Sequence, residues 1–262
     1  MTGEEPLRVR TDPIASVWQP KPGGGFRRMA RLSEPDAGRW HAVAGRVAVL
    51  VERALPPTVL ANRAVSGGRG WSLEPVGLAL RRARHLGRRM ASASLLVRTD
   101  VAAFYPSVTP STANRALLDV GAEGADARLA AAMLEGWGSE GYPGLPIGPA
   151  GSAVLANAVL RPVDRAVTSS PWLRWVDDYL IAVPSSSGVE EILERLDESL
   201  DGLGLSRSVP KTVTAAPPAG PSWLGRASLA PARPGNEFGR ASMGQSLSRA
   251  RRKERIWDSW SW

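Results

Sequence analysis

Residues 173–183 read Leu-Arg-Trp-Val-Asp-Asp-Tyr-Leu-Ile-Ala-Val, an acidic pair set between two short apolar arms. Each arm alternates as a strand does, with Leu173 and Trp175 before the pair and Tyr179, Ile181 and Val183 after it. The charges fall where the chain must turn back, so the stretch predicts a β-hairpin with Asp177 and Asp178 at its tip. Asp is also an ordinary turn residue, so the pair alone leaves a plain turn and a metal site equally open.

A third carboxylate lies upstream. Residues 95–97 (Leu-Leu-Val) predict a short strand that runs through Arg98 and Thr99 into Asp100, with Phe104 and Tyr105 following. If the strand continues, these two rings face opposite ways, one into the core and one into a pocket beside Asp100. Three carboxylates with no His or Cys nearby favour a hard divalent cation, Mg2+ or Mn2+, over zinc. Two such ions about 3.5 to 4 Å apart clamp the attacking and leaving oxygens of an in-line phosphoryl displacement.

In order and spacing these motifs resemble those of the reverse transcriptases. Residues 100–108 resemble the first palm motif, and Trp175-Val176-Asp177-Asp178 resembles the Tyr-x-Asp-Asp hairpin with Trp in the Tyr position. Gly144-Leu145-Pro146-Ile147-Gly148-Pro149, leading into Ser152 and Asn157, is similar to the loop and helix between them. Residues 203–212, with Lys211, resemble the lysine-bearing motif, and Ser222-Trp223-Leu224-Gly225 resembles the primer-grip hairpin. Ile147 stands where retroviral and retron enzymes carry Gln, which is similar to diversity-generating retroelement and abortive-infection or defence-associated bacterial enzymes. Ala153 after Ser152 departs from the first of these groups, and the retron Asn-Ala-x-x-His signature is missing.

The resemblance implies an α+β right-hand polymerase with fingers and a ferredoxin-like palm, the thumb short or absent. It implies a leader over residues 1–17, fingers over 18–99 and a palm over 100–226, with 109–143 contributing to the fingers. Residues 227–262 would be a basic, Trp-rich tail, either a vestigial thumb or a segment for a protein partner. Asp100 with Val101 beside it, Asp177 and Asp178 would form the metal-binding set for two Mg2+ or Mn2+ ions. Lys211 would protonate or stabilise the leaving pyrophosphate, and Lys21, Arg27 and Arg28 would neutralise the triphosphate. Tyr105, Ile147 and Gly148 would line the incoming nucleotide, with Tyr105 as the gate against a ribose 2' hydroxyl. Trp223, Leu224 and Gly225 would hold the primer. The implied substrates are deoxynucleoside triphosphates, an RNA template and a DNA or RNA primer, with antiviral defence as one setting.

Composition agrees with a nucleic-acid partner. The chain has 262 residues, a net charge of +8 and a pI near 10.8. Residues 61–99 hold eight arginines against the single acid Glu74. Within them, residues 76–90 predict a helix whose apolar side is Val76, Leu80, Ala83, Leu86 and Met90, leaving Arg81, Arg84 and Arg88 for phosphates. A solvated helix face is the alternative. Further helices are expected over 43–55 and 189–203, and from a cap at Ser152 through Val159. Cysteine is absent, which removes disulfides, thiolate metal sites and a Cys nucleophile. The polar N-terminus and the Gly- and Pro-rich character of residues 145–160, the longest uncharged apolar-leaning stretch, argue against a signal peptide or a membrane span, so a cytoplasmic enzyme is expected.

Two other classes stay open. A non-catalytic nucleic-acid-binding subunit would not need three clustered carboxylates, which repel phosphate unless a cation is bound. A template-independent polymerase acting with partners fits the Ile147 loop and the short tail. An RNA-directed RNA polymerase fits less well, because Tyr105 stands where those enzymes carry a second aspartate.

Overall fold

The computed structural model describes residues 9–20, 25–67, 70–90 and 92–217. Strands β1 (Ala15–Pro20) and β2 (Phe26–Arg31) form an antiparallel hairpin. Helix α1 (Glu34–Ala54) follows, with the Ser33 hydroxyl accepting from the Asp36 amide and Pro35 in the first turn. It begins well before residue 43, where the apolar stripe becomes regular, because the cap and a first-turn proline start a helix without apolar residues. A second hairpin, β3 (Ala64–Gly67) with β4 (Gly70–Leu73), leads to α2 (Val76–Gly87).

Then come β5 (Leu95–Asp100) and five helices, α3 (Phe104–Ser107), α4 (Pro110–Asp119), α5 (Gly124–Ser139), α6 (Ala150–Val159) and α7 (Arg161–Ala166). The hairpin β6 (Trp172–Trp175) and β7 (Asp178–Val183) follows, then α8 (Ser186–Asp201), a 3-10 turn at Val209–Lys211, and β8 (Val213–Ala215). The four strands β6-β7-β5-β8 form one antiparallel sheet in that order. One strand, helices, a hairpin, a helix and a last strand in this arrangement make a split β-α-β plan, which brings the end of β5 beside the start of β7.

The hairpin arms were expected to alternate, but β7 is buried along nearly its whole length. Both of its faces are covered. Tyr179, Ile181 and Val183 join the core with Val154, Leu155 and Val159 of α6 and Ile192, Leu196 and Leu200 of α8, while Leu180 and Ala182 pack with Leu60, Ala79, Ala83 and Met90. A strand covered on both faces reads as a continuous apolar run, as Tyr179-Leu180-Ile181-Ala182-Val183 does.

Several expected details change. The helix expected over 76–90 ends at Gly87 and tightens into a 3-10 turn at Arg88–Met90, and Val76 is 58% exposed because Ala79, Ala83 and Gly87 form the buried stripe. Ser152 does not cap α6; Pro149 precedes the first turn, and the buried Ser152 hydroxyl accepts from Trp40 Nε1 at 3.1 Å. Among the described residues before β1, the Asp12 amide donates to Asp36 Oδ2 of α1 at 2.8 Å, and residues 15–17, expected in the leader, belong to β1. Helix α6 ends at Val159, and Pro162 lies in the first turn of α7, where its missing N–H leaves no hydrogen bond unmade. Among the described residues no helix is long and apolar enough to cross a membrane.

Candidate active site

The acidic hairpin turns through two residues, Val176 and Asp177, between the paired Trp175 and Asp178. Val176 sits in the left-handed region at φ 57°, which costs a β-branched residue about 1–3 kcal/mol. Asp178 opens β7 and pairs with Asp100, the last residue of β5. The Val101 amide donates to the Asp177 carbonyl at 3.2 Å, which ties the turn to β5. The sheet thus brings Asp100, Val101, Asp177 and Asp178 to one end, next to one another.

The electrostatics are those of a crowded carboxylate cluster. Burial, then the charge of Asp178, pushes the Asp177 carboxyl up to about 7. Burial also raises Asp178, against the opposing pull of Arg98, whose guanidinium lies 3.5 Å away. Asp100 Oδ1 is buried without a hydrogen-bond partner. Its other oxygen takes the Lys211 ammonium, and this hydrogen bond is the main reason Lys211 holds its proton more tightly than usual. The 3-10 turn carrying Lys211 is fixed by the Ser208 amide donating to the Asp100 carbonyl (2.8 Å) and by Arg207, which is bidentate on Asp197 and donates to Thr212 Oγ1 at 2.9 Å.

An all-oxygen donor set with an unsatisfied buried carboxylate oxygen fits a hard divalent cation. As the side chains stand, no three His, Cys, Asp or Glu groups among the described residues close around one point. Lys211 supplies the positive charge there instead.

Phe104 and Tyr105 were expected on a strand. They lie instead in the one-turn helix α3, entered through Ala103 at φ 43°. Phe104 is 2% exposed and belongs to the core, and Tyr105 is partly buried and packs against the same core. Burial raises the Tyr105 phenol well above its ordinary range, with the Asp177 charge adding to the effect and those of Arg174 and then Arg27 opposing it. The Leu145 amide donates to the Tyr105 carbonyl at 2.8 Å. Gly144 has φ 75°, and a Cβ there would lie 2.2 Å from that carbonyl oxygen, so the loop glycine is what permits this approach.

The same loop meets the first hairpin. The Ala30 amide donates to the Ile147 carbonyl (2.7 Å), the Ile147 amide donates to the Tyr142 hydroxyl (3.4 Å), and the Arg28 guanidinium lies 4.6 Å from the Tyr142 ring centre. Arg27 and Arg28 stand on β2, opposite Gln19 and Trp18. Gly148 is exposed at φ 122°. Lys21, Trp223, Leu224 and Gly225, and the tail over 227–262, lie outside the described residues. Away from the acidic end, Arg81, Arg84 and Arg88 are exposed, while Arg82 is committed to Glu74 and the Leu60 carbonyl.

Beneath the hairpin lies a polar network that the sequence reading missed. Arg174 of β6 is fully buried; its Nε and Nη2 donate to the two oxygens of Asp164 on α7, each at 2.7 Å, and its Nη1 donates to Asn157 Oδ1 (2.9 Å) and to the Val176 carbonyl (2.7 Å). The Tyr179 hydroxyl donates to Asp164 Oδ1 at 3.0 Å, and Asn157 Nδ2 donates to the Asn62 carbonyl at 3.0 Å. Burial alone would lower the Arg174 pKa, but the Asp164 charge carries it above the ordinary value, as a bidentate ionised pair requires. The available signal was an arginine inside an otherwise apolar arm, Leu173-Arg174-Trp175, with Asp164 ten residues before it.

No protein-family model and no curated protein sequence matches the chain. Its fold is similar to that of solved telomerase structures, and telomerase is a reverse transcriptase. Apo telomerase from Candida tropicalis matches at TM-score 0.52 and 12% identity over 84% of this chain and 46% of that one. Telomerase from Candida albicans, in complex with a fragment of telomeric RNA, matches at 0.52 and 12% over 79% and 43%. The Candida tropicalis enzyme truncated from its C-terminal domain matches at 0.51 and 14% over 82% and 52%. The chain spans about half the length of these neighbours.

Proposed function

We propose that the protein is a nucleotide polymerase of the reverse-transcriptase kind, which adds deoxynucleotides to a 3' hydroxyl and releases pyrophosphate. The observation that carries this reading is the meeting of Asp100 with Asp177 and Asp178 at one end of the sheet, where a buried carboxylate oxygen lacks a partner. The telomerase-like fold supports it. The four-stranded sheet is then the palm, and the two N-terminal hairpins with α1 and α2 are the fingers.

Asp100, Val101, Asp177 and Asp178 would hold Mg2+ or Mn2+, which supplies Lewis-acid stabilisation to the attacking and leaving oxygens. The rest falls to side chains of this chain. Arg27 and Arg28, with Lys21, neutralise the triphosphate, and the Ile147–Gly148 backbone borders the nucleotide beside β2. Lys211 is held protonated beside Asp100, and its charge stabilises the departing pyrophosphate. Trp223, Leu224 and Gly225 hold the primer, and an RNA template runs past the basic face of α2.

The experiment is incorporation of labelled deoxynucleotides by the full chain on primed RNA, primed DNA and no template, each with Mg2+ or Mn2+. Template-directed extension on RNA is the expected result, and extension without template would favour the template-independent alternative. Binding of nucleic acid with no synthesis under any of these conditions would leave the non-catalytic subunit instead.

Tyr105 makes the sugar choice in this reading. A ring beneath the ribose leaves no room for a 2' hydroxyl, and a ribonucleotide must tilt its reacting atoms away, which costs on the order of a hundredfold in rate. Tyr105→Ala is expected to recover most of that factor with ribonucleotides, whereas Phe104→Ala removes a core ring and should lower the melting temperature. Steady-state incorporation of each deoxy and ribo pair by both variants checks this, and an unchanged sugar ratio in Tyr105→Ala removes the gate.

Arg81, Arg84 and Arg88 are spaced to share one helix face. Replacing all three with Ser is expected to reduce the slope of log binding constant against log salt by about 2 to 3, at roughly 0.7 to 0.9 per lost phosphate contact. An unchanged slope would mean a merely solvated face.

A further inference from the structure

We propose that Arg174 is the positioning residue of the acidic hairpin: clamped by Asp164 and Asn157, it holds the Val176 carbonyl and thereby keeps the turn in the conformation that aims Asp177 and Asp178. The effect on catalysis rests on the polymerase reading above; the effect on the turn does not.

Val176 is the first of the two turn residues, and a valine does not adopt φ 57° unaided. Something must hold it: the Val101 amide restrains the next carbonyl, that of Asp177, and the hydrogen bond from Arg174 Nη1, at 2.7 Å, restrains the Val176 carbonyl itself. That donor is itself immobile. The guanidinium is completely buried, forked onto both oxygens of Asp164, and shares the same nitrogen with Asn157. Asp164 is steadied in turn by the Tyr179 hydroxyl, and Asn157 by the backbone at Asn62, which stands at φ 61°. The network therefore spans α6, α7, β6, β7 and the connection after α1, and converges on a single carbonyl one residue before Asp177. A buried ion pair is poor evidence of added stability, since apolar groups of similar volume often serve as well. Its four-donor geometry is better explained by what it orients. Lysine, a point charge, cannot reproduce that fork.

The test separates position from packing. In the double variant Asp164→Leu/Arg174→Met no charge is left orphaned, so the chain is expected to fold. Hydrogen exchange at the amides of Val176, Asp177 and Asp178 should then be faster by about a hundredfold, while β5 and the remainder of β7 stay protected. The rate constant kcat should fall by about the same factor with KM for the nucleotide unchanged, because misplacement affects the reacting geometry and not ground-state binding. Should the double variant fail to fold, Arg174→Lys is read in its place. Adding Val176→Gly to Arg174→Lys should restore part of the lost kcat, since glycine takes the left-handed turn without being held. Unchanged exchange at 176–178 in a folded variant overturns the proposal, as does faster exchange with kcat intact, or a lysine defect that glycine does not relieve. If the parent chain synthesises nothing, the polymerase reading fails, and the exchange data still decide whether Arg174 holds the turn.

Discussion

Asp177→Asn is expected to lower nucleotide incorporation by about a thousandfold or more while the fold survives. Metal-assisted charge stabilisation supplies several kcal/mol to an in-line phosphoryl displacement, and each 1.36 kcal/mol is tenfold in rate. Losing about 4 kcal/mol of it accounts for the thousandfold. The substitution keeps the shape of the side chain and removes a charge from a buried cluster, so stability should not suffer. The direction with pH is a second signature. Asp177 titrates near 7 in the folded protein, mainly because it is buried, and near 3.9 when unfolded. Folding then takes up a proton between these values, so the stability contributed by this group is greatest at acid pH and is lost as pH rises through about 7. Without added metal, the melting temperature of the parent should fall from pH 5 to 8 more than that of Asp177→Asn. Full incorporation by the variant, or by the parent in excess chelator, would sink the mechanism.

Asp164→Leu is expected to destabilise the protein by about 3–5 kcal/mol, because it strands the Arg174 cation in the core. At roughly 2–4 °C per kcal/mol for a chain of this size, the melting temperature should fall by about 6–20 °C. Adding Arg174→Met should recover most of the loss, and the cycle of single and double variants measures the coupling directly. A drop of less than about 1 kcal/mol for the single variant would mean that water reaches the pair.

The acidic hairpin, the strand ending on Asp100 and the stripe of Ile192, Leu196 and Leu200 on α8 were legible because each is written in neighbouring residues: an alternation, a charge at a turn, a repeat of 3.6. What was not legible depends on residues far apart in the chain. Arg174 reads as a solvent-facing strand residue until Asp164 and Asn157 are known to stand behind it. Ser152 reads as a cap until Trp40 claims its hydroxyl. The helical turn at Phe104 and Tyr105 is entered through a left-handed alanine, which local propensity disfavours and tertiary packing imposes. Gly144 reads as part of a motif, but the reason for a glycine there, the carbonyl of Tyr105 against its Cα, lies in a distant stretch of the chain.

The outer edge of β6 is occupied by residues 58–60: the Arg174 amide donates to the Thr58 carbonyl at 3.0 Å, and the Leu60 amide donates back to the Arg174 carbonyl at 2.9 Å. These partners are separated by more than a hundred residues of chain, so the sheet cannot be finished until both ends of that loop have met. Closing it costs conformational entropy before any contact repays it, which makes folding slow relative to a helical bundle of equal size. During synthesis the apolar stripe of α2, Ala79 and Ala83, stays uncovered until the β6–β7 hairpin has left the ribosome. A fragment lacking residues 58–60 would carry the acidic hairpin on a bare strand edge, open to pairing with another copy of itself.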